Sequence, residues 1–145
     1  MLWTGYMISL ALTRLKSKDM KAYTDLEQSK KLAEILPIES ADAFYDMAEP
    51  DKRRVPIIGD PDDYYDMEDW TAPCWSLAAL LDQLEDVIVD ENGYEYKLEI
   101  IKEGVQYYLV YEGMLDAASY DTHLFDDLID CCYEMILKLH EQNLL

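Results

Sequence analysis

The side chains in this sequence that could assemble a site are its many carboxylates, its three cysteines and its two histidines. The densest group is Asp60-Pro61-Asp62-Asp63-Tyr64-Tyr65-Asp66-Met67-Glu68-Asp69, followed by Trp70. Clustered carboxylates are hard oxygen ligands, which makes calcium the first chemistry to weigh. The run fails the helix-loop-helix calcium pattern: the position that must be glycine holds Tyr65, and the bidentate position holds Thr71. The same acids, interleaved with Tyr64, Tyr65 and Trp70, instead offer negative charge with rigid aromatic anchors, which suits a basic groove on another protein. The candidate partner-binding residues are therefore Asp60, Asp62, Asp63, Tyr64, Tyr65, Asp66, Glu68, Asp69 and Trp70. The plainer alternative is a solvated acidic loop.

Cys74, Cys131 and Cys132 form no CxxC pair and share no zinc-type spacing with His123 or His140. The adjacent pair falls into helical rows that packing explains, so buried structural thiols are expected, with no metal and no cofactor. His123 and His140 are assigned to the first and last turns of the final helix, as surface residues. No carboxylate pair stands in a context that singles it out for acid–base work, so no catalytic residue is named and a non-enzymatic protein is expected. The tyrosines Tyr94, Tyr96, Tyr107, Tyr108 and Tyr111 read as cross-strand packing. As a base-stacking platform they would lack the positive charge that nucleic acid demands.

That last point extends to the whole chain. Its 31 acids against 12 bases leave a net charge of −19 over 145 residues, and displacing counterions from phosphates requires a basic face. Direct nucleic-acid binding is excluded on this ground. The bases Arg14, Lys16, Lys18, Lys21, Lys30 and Lys31 crowd the start, so the remainder is more acidic than the average. An odd number of cysteines argues against a disulfide framework and for a reducing cytoplasm. The apolar stretch Met1 to Leu15 is shorter than the ~20 residues of a membrane span, so no membrane association is expected. It reads as a docking segment or as an upstream extension ahead of Met20, and the division is residues 1–19 and a single domain over 20–145.

The elements follow from local pattern. Thr24-Asp25-Leu26-Glu27 matches a capping box and opens a helix that Pro37 stops. Residues 38–71 read as irregular, with a short helix near Ser40 to Met47 and an edge strand near Val55 to Ile58. A second helix spans Trp75 to Leu84, led in by Pro73. Val87 to Val89, the Asn92-Gly93 turn, and the alternating runs Tyr94 to Ile100 and Val105 to Tyr111 form a three-stranded antiparallel meander. A long last helix from about Thr122 to Gln142, capped by Asp121 or Thr122, covers it with two apolar rows. The fold class is α+β: a single domain with a short antiparallel three-stranded meander packed against helices and a long C-terminal helix.

Three stretches carry a resemblance: Met20 to Pro37 (MKAYTDLEQSKKLAEILP), Pro73 to Leu81 (PCWSLAALL) and Asp130 to Glu141 (DCCYEMILKLHE). They resemble a family of small phage and prophage proteins that includes an anti-CRISPR inhibitor of a type II RNA-guided nuclease. The resemblance implies a phage-encoded protein that binds such a nuclease and inhibits DNA recognition or cleavage without being an enzyme. It supplies no catalytic residue and does not reach the acidic run 60–69. Charge points the same way, because such a nuclease holds its guide duplex in a positively charged channel. The alternative is an accessory phage protein, an interaction module without nuclease inhibition. An exposed meander edge or the apolar N-terminus could also pair two chains, and a homodimer is the weaker expectation.

Overall fold

A computed structural model describes residues 20–47, 56–59, 71–113 and 119–145. The first helix, α1 (Leu26–Ala33), opens on a reciprocal cap: the Asp25 carboxylate accepts from Gln28 N at 2.8 Å, and Asp25 N donates to Gln28 Oε1 at 3.1 Å. The capping box thus sits one residue later than the Thr24/Glu27 pair that the sequence predicts. Thr24 is fully buried and otherwise engaged: its N–H donates to the Trp75 carbonyl at 2.9 Å, and its hydroxyl meets Ser29 Oγ at 2.7 Å. The helix ends ahead of Pro37, and a short 3-10 turn, Ile38–Ser40, follows.

The expected helix over Ser40 to Met47 is instead a strand, β1 (Ala43–Asp46), at the centre of an antiparallel three-stranded sheet ordered β2-β1-β3. β2 (Ile57–Ile58) is an edge strand, as Pro56 requires, and β3 (Thr71–Cys74) is the other edge. Pro73 therefore lies in an edge strand opposite Phe44 and does not lead in a helix. Ala43, Phe44 and Tyr45 are all buried, so both faces of β1 are covered and its residues carry no in/out alternation to read.

Ser76 caps α2 (Leu77–Asp82) by accepting from Ala79 N at 3.2 Å, while its own N–H donates to Asp42 Oδ1 at 2.9 Å. Trp75, expected in the first turn, is buried ahead of the cap, where its indole N–H reaches Ser40 Oγ at 2.9 Å.

The meander is present as β4 (Val87–Val89), β5 (Glu95–Glu103) and β6 (Gln106–Gly113), and a short strand, β7 (Tyr120–Asp121), extends it to four in the order β4-β5-β6-β7. The turn after β4 is held by Asp90, whose Oδ1 accepts from Asn92 N and Tyr94 N, each at 2.9 Å, with Gly93 at φ 81°. The final helix, α3 (Leu128–Glu141), starts six residues later than predicted, with Asp127 as its cap. The intervening residues are spent on β6: Thr122 N donates to the Leu109 carbonyl, Leu109 N to Thr122 Oγ1, and Phe125 bridges Tyr107 in both directions.

The buried apolar residues form two clusters: a smaller one of Ala43, Tyr45, Ala72 and Cys74 in the three-stranded sheet, and a larger one that joins the four-stranded sheet to the helices. Ile88, Tyr96, Leu109 and Tyr111 of the four-stranded sheet pack with Leu80 and Leu84 near α2, with Ile129, Cys132, Met135, Ile136 and Leu139 of α3, and with Leu32 of α1 and Trp75. The double row expected on the last helix is its buried face from Leu128 onward, whereas Leu124 and Phe125, which the sequence pattern sets at the head of the rows, precede the helix, and Leu124 is exposed. The fold is α+β, and no described helix is long and apolar enough to cross a membrane.

Candidate functional site

The acidic run predicted to meet a partner, Asp60, Asp62, Asp63, Tyr64, Tyr65, Asp66, Glu68, Asp69 and Trp70, lies outside the described residues, as does the segment 1–19. The anchors of the run are described. It leaves from Gly59, whose N–H donates to the Asp42 carbonyl at 3.2 Å, and returns at Thr71. Because β2 and β3 flank β1 on its two sides, the run joins strands on opposite edges of the three-stranded sheet.

The described residues present a second set of carboxylates that sequence reading passed over. Along β5 the odd positions Glu95, Lys97, Glu99 and Glu103 are exposed and share the face opposite the core, which takes Tyr96 and Leu98. The register carries that face across the sheet: Lys97 is opposite Glu112, and Val110 lies between Glu99 and Asp121. Glu95, Glu99, Glu103, Glu112 and Asp121 therefore project from one side with a single base, Lys97, among them. The residues from Glu95 to Glu103 extend about 27 Å at the usual strand rise. The signal was present in the period-two spacing of Glu95, Lys97 and Glu99, which was used to place the strand and not to read its outer face, while Glu103 was assigned to the turn that follows.

Asp25, Asp127 and Asp130 have structural roles. Lys21 Nζ lies 2.8 Å from Asp130 Oδ1 and 3.1 Å from Asp25 Oδ2, while its backbone N–H donates to Asp127 Oδ2 at 2.6 Å. Gln28 Nε2 adds a bond to Asp130 Oδ1 at 2.7 Å. This node fastens the caps of α1 and α3 to one another. Burial opposes the charge on Lys21, but the hydrogen bonds and charges of Asp130 and Asp25 outweigh it and raise its pKa. Burial likewise opposes ionisation of Asp25, yet the Gln28 N–H and the Lys21 ammonium hold its carboxyl below the ordinary range.

The three thiols are free and buried, and burial pushes them up to about 12 for Cys74, about 11 for Cys131 and about 12 for Cys132. They are protonated packing groups at neutral pH, not nucleophiles. His140 is exposed on the last turn of α3 as expected. His123 lies ahead of the helix, not in its first turn, with Nδ1 2.6 Å from Glu134 Oε1 and its backbone N–H 2.9 Å from Oε2. Among the described residues, no three His, Cys, Asp or Glu side chains converge as a metal would require. Polar groups do converge between the β4–β5 turn and the end of α3, where Glu91, Tyr120 and Glu141 line an open groove of about 610 Å³. Asp90, also in its wall, is committed to the turn and to the Tyr96 hydroxyl at 2.8 Å.

Comparison of the chain with protein-family models, with curated proteins and with solved structures returns no match.

Proposed function

We propose that the protein is a non-enzymatic, phage-encoded inhibitor that binds a basic trough of a type II RNA-guided nuclease and thereby obstructs DNA recognition or cleavage. The observation that carries this reading is the outer face of the four-stranded sheet, where Glu95, Glu99, Glu103, Glu112 and Asp121 stand with Lys97 as the one base among them. A chain of net charge −19 that gathers exposed carboxylates on one side of a sheet has the sign to replace nucleic acid against a cationic channel. The acidic run Asp60 to Asp69 adds charge of the same sign, and the resemblance of the stretches 20–37, 73–81 and 130–141 is what suggests such a nuclease as the target.

Association with purified nuclease, followed by gel filtration at low and high salt, tests the proposal. Co-elution at low salt that is lost as salt rises is expected, together with inhibition of target cleavage. Replacing Glu95, Glu99 and Glu103 by glutamine should slow association on the order of tenfold while leaving the far-ultraviolet circular dichroism unchanged. Neutralising Asp62, Asp63 and Asp66 tests the other segment. Absence of binding at low salt removes the nuclease from the reading; undiminished inhibition by both neutralised variants removes the assigned surfaces.

A further inference from the structure

β4 is an edge strand, and the hydrogen bonds flanking it fix which way its backbone faces. Leu98 N donates to the Asp86 carbonyl at 2.9 Å and Asp90 N to the Tyr94 carbonyl at 3.0 Å, on either side of the Ile88–Tyr96 pair. Antiparallel ladders alternate bonded and non-bonded pairs. The backbone groups of Asp86, Ile88 and Asp90 thus turn toward β5, and those of Val87 and Val89 turn away from the sheet. Among the described residues nothing pairs with that outward side, and Val87 and Val89 are 42% and 54% exposed. The chain around them is acidic: Glu85 and Asp86 precede the strand, and Asp90 and Glu91 follow it.

The edge also runs into the groove of about 610 Å³, whose wall includes Val89, Glu91, Tyr120 and Glu141. Glu91 and Glu141 are both exposed there, beside the C-terminal end of the 14-residue α3, where the helix dipole is negative. We infer that the β4 edge accepts an extended, basic segment of another protein as a fifth strand. The backbone groups of Val87 and Val89 set its register, and Glu91 and Glu141 receive one of its arginine or lysine side chains in the groove. Charge selects this occupant over a second copy of the same edge, because two acidic rims brought together would repel. The edge adjoins the outer acidic face, since Val89 lies opposite Glu95, but the inference does not rest on the nuclease assignment and holds or fails separately from it.

The test uses the full-length protein and a fluorescein-labelled hexapeptide of alternating Arg and Val, read by anisotropy. Saturable binding is expected, with the alternating Glu-Val peptide failing to bind. Val89→Pro removes an outward donor without touching the β4–β5 ladder and should weaken binding at least tenfold. The double variant Glu91→Gln/Glu141→Gln should weaken it several-fold. Independently of how the proline variant folds, an Arg-Val peptide N-methylated at alternate backbone positions keeps its charge but cannot pair as a strand, and should lose binding to the unaltered protein. Equal binding of the N-methylated peptide, or of the Glu-Val peptide, overturns the inference. So does sedimentation showing that the free protein is a dimer that Val89→Pro dissociates, since the edge would then belong to a second copy.

Discussion

Asp127 shows how much one carboxylate can be asked to hold. One oxygen caps α3 by accepting from Ile129 N at 2.9 Å, and the other accepts from Lys21 N at 2.6 Å. Asp127→Ala should therefore cost about 2 kcal/mol, the upper end of the range for a lost cap, whereas Asp127→Asn, which keeps an acceptor, should cost well under half of that. Urea titration of the two variants checks the difference. The buried acids of high pKa give a second expectation at this scale. Tyr45 is pushed up to about 12 by burial, beside Cys74 at about 12 and the Cys131 and Cys132 thiols at about 11 and 12, against ordinary values of 10.0 and 9.0. These groups stay protonated when folded and ionise earlier when unfolded, so the unfolded chain binds fewer protons over this interval and stability falls as pH rises. The urea midpoint should hold below pH 9.0 and decline progressively toward about 12. The thiols should react with a disulfide reagent only once denaturant is added.

At the level of elements, the turn that follows β4 offers a clean perturbation. Gly93 has φ 81° with no atom within 4 Å of where a Cβ would sit, so Gly93→Ala should cost about 1 kcal/mol through backbone conformation alone, without a clash. Thermal unfolding of this variant beside a control substitution at Glu91 measures it. The same turn marks where the sequence was most legible. Asn92-Gly93 and the alternation of Tyr96 and Leu98 with Glu95, Lys97 and Glu99 define β4 to β6 because a half-buried hairpin writes both its turn and its faces into residue type. β1 is the opposite case: Ala43, Phe44 and Tyr45 are covered on both sides, so alternation vanishes and the alanines of Ser40 to Met47 read as helix. The start of α3 was misplaced for a different reason. Thr122 looks like a cap, but its hydroxyl accepts from Leu109 N and donates to the His123 carbonyl, and this long-range pairing is invisible in local spacing. The acidic side of β5 could be read from Glu95 and Glu99, whereas the Lys21 node, the addition of Glu112 and Asp121 to that side, and the outward backbone of Val87 and Val89, with which nothing pairs among the described residues, depend on tertiary pairing and could not be read.

Across the whole molecule the net charge of −19 sets the response to ionic strength. The ion pairs among the described residues engage few of the acids, namely Asp25 and Asp130 with Lys21 and Glu34 with Lys31. Self-repulsion is therefore left for the solvent to screen, and the melting temperature should rise between low salt and about 0.1 M, where the screening length falls to ~10 Å. Partner binding should move in the reverse sense over the same titration, so the two slopes measured together separate folding from association. The bonds from Lys21 to Asp127 and Asp130 span 106 and 109 positions of the chain. A ribosome delivering this polypeptide from its first residue onward would hold the anchor for α1 long before the acids that receive it have been made. The two caps can be joined only after α3 has emerged from the ribosome, so α1 stays without this anchor until then.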